Sequence, residues 1–593
     1  MSALELITEH LDLWTGAVKK KSSSGRGSNG KVELTGVKML RALILELAVR
    51  GKLVEQYPVD TSAEQLLEHI AELRKELIAS KTIKNSNPLP TVTPDEAPSE
   101  LPAGWAWTRL GSIAEINPRN MGDDTLEASF IPMPLVTTSY HGEHGDEPRN
   151  WGEIKKGYSH FANGDIGLAK ITPCFENSKA AVFRNLRNGI GAGTTELHVA
   201  RPLSSVINPY FLLLFLKSPR FLTEGEKVMT GSAGQKRVPK DYFAETPLPL
   251  PPEEEQHRII HKVHELMTLC DRLEQQTSDQ LEAHETLVDA LLGTLTKSEN
   301  APELADNWAR LAAYFDILFT TEQSIDKLKQ TILQVAMMGR LVEQNSDDEP
   351  AKSLLAGLST IKKRMIAKGV LKKERRLHRV KSNNAPYELP PNWTWCSLTD
   401  IGELARGKSK HRPRNDPALY RSGTVPLVQT GDVARASPKV TTFSTNYNEK
   451  GVEQSRLWKA GTLCITIAAN IGDTGILDFD ACFPDSVVGF TPFDDRLGNE
   501  YFAYFMRTAK QHLEEFAPAT AQKNINLDVL QNLLVPLPPA AEIGRIVQKI
   551  NELMGLCEQL KERLNQARET RCHFAEATLV AAVHGSRKRA PFT

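Results

Sequence analysis

The sequence predicts an α/β plus coiled-coil chain: two α/β domains separated by antiparallel helical spacers, a tandem repeat with circular pseudo-two-fold organisation. Three observations predict it. One framework is written twice, about 288 residues apart: LPAGWAWTRLGSIAEI (101–116) returns as LPPNWTWCSLTDIGEL (389–404), and GKLVEQ (51–56) as GRLVEQ (339–344). PLPPEEEQHRIIHKVHELMTLCDRL (249–273) returns as PLPPAAEIGRIVQKINELMGLCEQL (536–560) with 14 of 25 positions identical, and its apolar residues step by four and three. Between these anchors the copies share little over roughly 130 residues each. Similar frames holding dissimilar inserts describe one scaffold that presents two different recognition surfaces.

The elements follow in order. KKKSSSGRGSNGK (19–31) is a flexible linker by composition. From near Gly36, Leu40, Ile44 and Leu47 fall at helical spacing, and Gly51 supplies a C-terminal stop. A second amphipathic stretch covers 63–79, and a proline-rich boundary at 88–102 closes the N-terminal helical region, 1–100. Segments 101–252 and 389–539 carry short β-like runs between Gly/Asp/Asn turns, such as LCITIAAN (463–470), and one late helix each, at 209–217 and 500–509. Both read as α/β domains with an irregular sheet.

Each domain stops at PLPP and hands over to a long helix. Ile259, Val263, Leu266, Cys270 and Leu273, and then Ile546, Ile550, Leu553, Cys557, Leu560 and Leu564, make the narrow seam of a coiled coil or helix hairpin. A surface helix on a globular domain is the alternative, and a stripe this narrow and sustained argues against it. These helices open a central helical region, 253–388, and a C-terminal one, 540–593. The central spacer is complete in itself. The other is assembled from 36–88 and 540–585, so that the chain's ends meet. A helix of about 40 residues spans about 60 Å.

At 593 residues the chain is too long for one core. Hydrophobic content of 40% and charged content of 24% describe an ordinary soluble protein. The longest apolar run, 210–216, is far short of a membrane span. MSALELITEHLDLW has early acids and lacks the pattern of a secretory signal, which places the protein in the cytoplasm with no membrane partner. Seven cysteines without a CxxC pair suit neither a disulfide framework nor a zinc site, and Cys270 and Cys557 read as buried small hydrophobes. A net charge of −1 argues against a solitary DNA binder, since phosphate contacts supply most of such a protein's affinity. It leaves room for a subunit whose partners help grip the duplex.

The repeated Leu-Pro-x-x-Trp opening and PLPPxxEQ-type close resemble the specificity subunit of type I restriction–modification enzymes, and the resemblance covers almost the whole chain. The second close lacks Gln after Glu542. The N-terminal extension with its GKLVEQ repeat is most similar to the type IB branch. The resemblance implies a non-catalytic subunit that binds double-stranded DNA, two modification subunits and two restriction subunits. It implies no cofactor on this chain: S-adenosylmethionine sits on the modification subunit, ATP and magnesium on the restriction subunit. Each target-recognition domain would read one half of a split asymmetric target, and the helices would measure the unread spacer.

The residues agree with an empty catalytic inventory. An adenine methyltransferase shows Asn/Asp-Pro-Pro-aromatic; Asn208-Pro209-Tyr210-Phe211 lacks one proline, and Asn499-Glu500-Tyr501-Phe502 departs further. Both asparagines read better as helix N-caps. Gly407-Lys408-Ser409 lacks the glycine spacing of a phosphate loop, and Asp485 has no nuclease partners nearby.

DNA-reading candidates sit on loops. TGSAGQKRVPKDYF (230–243) offers Gln235, Lys236, Arg237 and Lys240, and PATAQKNINLDVL (518–530) offers Gln522, Lys523, Asn524 and Asn526. The family resembled commonly has a loop here; small residues let backbone approach DNA, Lys meets phosphate or guanine and Gln pairs with adenine. A solvated turn retained in both copies is the other reading. AKITPCFENSK (169–179) adds Lys170, Thr172, Phe175 and Lys179, and VTTSYHGEHG (136–145) adds Ser139 and Tyr140. In the second domain RGKSKHRPR (406–414) brings Arg406, Lys408, Lys410, Arg412 and Arg414, five cations in an acid-free loop that suits a phosphate track. LVQTGDV (427–433) adds Gln429 and Thr430. Exposed loops without a partner remain the alternative for all of these. The run 361–381 has ten Lys/Arg against one Glu, and a solvated helix face is the preferred reading over DNA or subunit contact.

Two rivals stand beside the specificity subunit. A self-contained DNA-modifying enzyme would bind cofactor as the isolated chain. A coiled-coil adaptor without DNA would explain the helices and neutral charge, but not two Gln-Lys loops beside divergent inserts.

Overall fold

The computed structural model describes residues 7, 10–20, 32–84, 88–232, 234–298, 301–371, 385–411, 413–436, 438–515 and 525–584. The chain divides into two units: Met1–Leu281 with Gln566–Thr593, and Glu282–Asn565. Both boundaries fall inside the helices that follow the PLPP closes, Glu253–Lys297 and Ala540–His584, each 45 residues long.

In the first unit the helix Thr35–Val49 buries Leu40, Leu43, Ile44 and Leu47 in one core with Ile259, Val263, Leu266 and Cys270. Cys572 and Ala575 join that core, so the two ends of the sequence do meet. The second unit repeats the arrangement. Glu322–Met337 places Ile325, Leu328, Ile332 and Val335 in a core with Leu292, Leu295 and Cys557. The apolar seam read from the sequence is therefore what holds these helices, and Cys270 and Cys557 are buried within it.

Each unit also carries a β-rich part opened and closed by one antiparallel pair. Ala106–Arg109 pairs with Pro247–Leu250 (Ala106 opposite Leu250), and Thr394–Ser397 with Leu534–Leu537 (Thr394 opposite Leu537). Between these strands the first unit has two four-stranded sheets; the second has one of five strands and one of four. Pro209–Leu216 is apolar on every side and buried from Phe211 to Leu216, as an all-round hydrophobic helix must be. Asn208 caps it, its side chain accepting from the Tyr210 N–H at 3.0 Å.

Three readings change. Asn499 is not a cap: it is the first residue of the helix Asn499–Glu515, and its Nδ2 donates to the Gly461 carbonyl at 2.6 Å. LCITIAAN is only half a strand. Leu463–Thr466 ends where Gly472 N–H donates to Thr466 O at 2.9 Å and Ala469 turns to φ +65°, which closes a tight loop. In the head, Lys19–Lys20 pairs with Val32–Glu33 rather than starting a linker; 21–31 lie outside the described residues. The basic run is helical to Ala367, and 372–384 lie outside the described residues. Among the described residues no helix is long and apolar enough to cross a membrane.

The repeated motifs converge on one buried carboxylate per unit. Glu255 accepts from Trp105 Nε1 at 3.0 Å and from Gln56 Nε2 at 3.1 Å. Glu542 accepts from Trp393 Nε1 at 3.0 Å and from Gln344 Nε2 at 2.6 Å. Gly51 (φ +62°) and Gly339 (φ +69°) lie against the same tryptophans, where a Cβ would come within 2.8 Å and 3.0 Å of the indoles. Removing a donor from a buried acceptor costs about 1–3 kcal/mol. Trp105→Phe, which loses the N–H and part of the indole, should lower the unfolding free energy by at least about that amount, as should Trp393→Phe; urea denaturation with m unchanged measures it.

Candidate nucleic-acid interface

In the first unit the backbone brings two of the predicted loops together. Thr172 N–H donates to Lys236 O at 3.0 Å, Val238 N–H to Lys170 O at 2.8 Å, and Ile171 bridges Arg237. Gln235, Lys236 and Lys240 are exposed, and Lys170 is half-buried beside them. Arg237 holds the cluster's shape: its guanidinium makes a two-pronged pair with Glu196 at 2.9 and 2.8 Å, which raises the Arg237 pKa and lowers that of Glu196. Thr172 Oγ1 donates to Glu176 at 2.8 Å, and Lys179 Nζ to Met133 O at 3.1 Å.

Two candidates are corrected. Phe175 is fully buried, its ring 6.2 Å from Phe221 and packed on Gly225, so it is core and presents no face to a base. Tyr140, half-buried, turns onto the long helix, tilted against His141 with ring centroids 4.0 Å apart and its hydroxyl 3.5 Å from Asp271, and Ser139 Oγ accepts from His141 N–H at 3.2 Å. A lone aromatic in a polar loop carries the same composition whether it points out or in.

In the second unit the strand Gly402–Arg406 delivers Arg406, Lys408 and Lys410 to the surface. The loop is not free of acids in space: Arg414 pairs with Asp485 at 2.8 Å through both carboxylate oxygens, and His411 with Asp416 at 2.7 Å. Arg414 therefore drops out as an uncompensated cation. The exposed Gln429 begins the turn Thr430–Ala434, its N–H donating to Asp432 Oδ2 at 2.8 Å. Ile525 N–H donates to Ile467 O at 2.9 Å, the counterpart of the Val238–Lys170 tie, and Asn526 precedes the helix Leu527–Gln531. Arg412, Gln522, Lys523 and Asn524 lie outside the described residues.

The family described as type I restriction modification DNA specificity domain matches residues 102–283 and 390–568. The type I restriction enzyme EcoAI specificity subunit of Escherichia coli is 44% identical over 599 residues, covering 98% of this chain and 100% of that protein. The EcoEI specificity subunit of Escherichia coli is 44% identical over 596 residues with the same coverage. This chain belongs to the type I restriction–modification specificity-subunit family. The HsdS subunit from Thermoanaerobacter tengcongensis, a solved structure, is 19% identical with a TM-score of 0.46, over 82% of this chain and 99% of that one. The specificity subunit is the non-catalytic component that gives a type I system its DNA specificity, and it carries two specificity domains.

Two features of this specificity subunit were not singled out from sequence. Arg119 shares a cleft of about 290 Å³ with Lys170 and Tyr158, and Arg119 donates to the Tyr158 carbonyl at 3.2 Å. The turn Asn117-Pro118-Arg119-Asn120, with Asn117 at φ +53°, was the signal for it. Lys217 is a positioning residue: buried, 4% exposed, its ammonium donates to Ser178 O at 2.6 Å and Thr138 O at 3.3 Å, tying the 136–145 and 169–179 loops together. Burial lowers its pKa from 10.5 to about 7. Because the folded value lies below the unfolded one, the cost of the buried charge is fully present below about pH 7 and is relieved as pH rises toward 10.5. Calorimetry should show the melting temperature of the native chain gaining between pH 7 and 9.5, and Lys217→Met should flatten that gain.

Proposed function

We propose that each β-rich part of this specificity subunit, 101–252 and 389–539, reads one half of a split, asymmetric DNA target, and that the helical regions set the distance between the halves. The observation that carries this reading is the duplication itself: equivalent clamps and equivalent loop ties hold inserts whose side chains differ, and different half-sites need different base-reading groups. Lys170, Gln235, Lys236 and Lys240 are the contact residues of the first part, with Arg119 beside them. Arg406, Lys408, Lys410 and Gln429 are those of the second. Lysines and arginines at these places meet phosphate, while the glutamines reach base edges. Two modification subunits carrying S-adenosylmethionine and two restriction subunits using ATP and magnesium complete the assembly, and they supply the part of the DNA grip that a chain of net charge −1 lacks.

Single-molecule methylation mapping of DNA from cells expressing this chain with its modification subunit tests the reading. A new adenine mark at a bipartite motif with a fixed gap is expected, and exchanging 101–252 for another member's segment should change one half only. A contiguous motif, or both halves changing together, would sink it. In the assembled methyltransferase, Lys236→Ala should weaken binding across sequences and reduce the slope of log K against log salt by about 1.

A further inference from the structure

The two copies differ by one informative residue just before the Leu-Pro opening. The first reads Ala97-Pro98-Ser99-Glu100, the second Ala385-Pro386-Tyr387-Glu388. In the second copy the Tyr387 ring packs edge-on against Trp395, centroids 5.0 Å apart at 62°, and its hydroxyl donates to the Met337 carbonyl at 3.0 Å. Met337 is the last residue of its helix, so its carbonyl has no intrahelical donor, and the phenol satisfies it.

In the first copy the counterparts of Met337, Tyr387, Trp395 and Pro536 are Val49, Ser99, Trp107 and Pro249. These four line a single cavity of about 320 Å³, together with Phe215 and Phe221. That is the low end of the range for small-ligand pockets. Val49 again ends its helix, so its carbonyl, like that of Met337, has no intrahelical donor. The charged groups nearby favour neither an anion nor a cation. Arg50 is paired with Glu46 and Glu96 with Arg109, while Arg220 and Glu224 offset one another.

We propose that this cavity is a binding site for one neutral phenolic ring, seated edge-on to Trp107 with its hydroxyl donating to the Val49 carbonyl, as Tyr387 is seated in the other copy. The chain thus holds its own template for the ligand: the same backbone, the same indole and the same helix-terminal acceptor, with the ring built in on one side and supplied from outside on the other. Edge-to-face packing favours an aromatic ring, and a hydroxyl that satisfies the buried carbonyl favours a phenol over plain benzene. The ring can come from a free phenol or from a tyrosine carried by another polypeptide.

The test is titration of the full chain with 4-methylphenol, followed by saturation-transfer NMR. The native chain should bind in about the millimolar range or tighter, as an eight-heavy-atom ligand can. Ser99→Tyr should weaken binding at least about tenfold, because its own ring fills the site, and should raise the melting temperature. Tyr387→Ser should gain a second equivalent of binding in the other unit. If that variant fails to fold, Ser99→Tyr still decides. No binding to the native chain, or equal binding to Ser99→Tyr, overturns the proposal. N-acetyltyrosinamide separates the sources: binding comparable to 4-methylphenol marks a polypeptide tyrosine, and binding of 4-methylphenol alone marks a free phenol. None of these readings involves DNA, so the proposal stands or fails apart from the DNA reading above.

Discussion

A carboxylate taken out of water has to be met by donors, and Glu255 and Glu542 each obtain theirs from parts of the chain far away in sequence. Glu255 is reached by Gln56 from 199 residues away and by Trp105 from 150; Glu542 by Gln344 from 198 and Trp393 from 149. Burial pushes both carboxyls up from their usual range, and the indole and amide donors pull them back. One buried acceptor thus locks the end of a helical hairpin, the opening strand and the start of the long helix into a single geometry. Arg258 with Asp60 at 2.5 Å, and Arg545 with Asp348 at 2.6 Å, repeat the connection one turn further on.

What hangs between clamped ends is free to vary. The insert enters beside Trp105 or Trp393 and leaves at PLPP, and the closing strand pair holds its two ends together whatever lies between. Divergence has reached the edge of the clamp itself. Gln256 is buried and accepts from Asn208 N–H at 2.8 Å, so it anchors the entry to the late helix. In the second copy Ile543 stands there, buried in the core, and entry to the helix runs through Gly498 at φ +54°. The missing Gln after Glu542 is therefore a different solution at one corner and leaves the clamp intact.

The near-neutral charge has a structural counterpart. Two of the cations that mark the candidate loops are held by acids from other segments: Arg237 by Glu196 and Arg414 by Asp485. Such pairs give the loops shape, and they leave a smaller set of exposed lysines and arginines to meet phosphate. A specificity subunit of this kind offers precise geometry with a modest electrostatic grip, which suits a protein that works among partners.

The sequence by itself determined the duplication, the helix Ala63–Ala79 to its ends, the buried seam of the long helices and the helix at Pro209, because each rests on short-range periodicity or on a motif repeated whole. It also determined the family, since the clamp residues are the motif. Which loop residues face out was decided only in three dimensions. Phe175 and Tyr140 read as exposed from their polar neighbours, yet Phe221 and the long helix, distant in sequence, take them in. Lys217 passed for the tail of an apolar helix until two loop carbonyls closed around its ammonium. Spacing along a chain reports the periodicity of one element, whereas the direction and pairing of a loop side chain depend on whichever remote segment the tertiary fold sets against it.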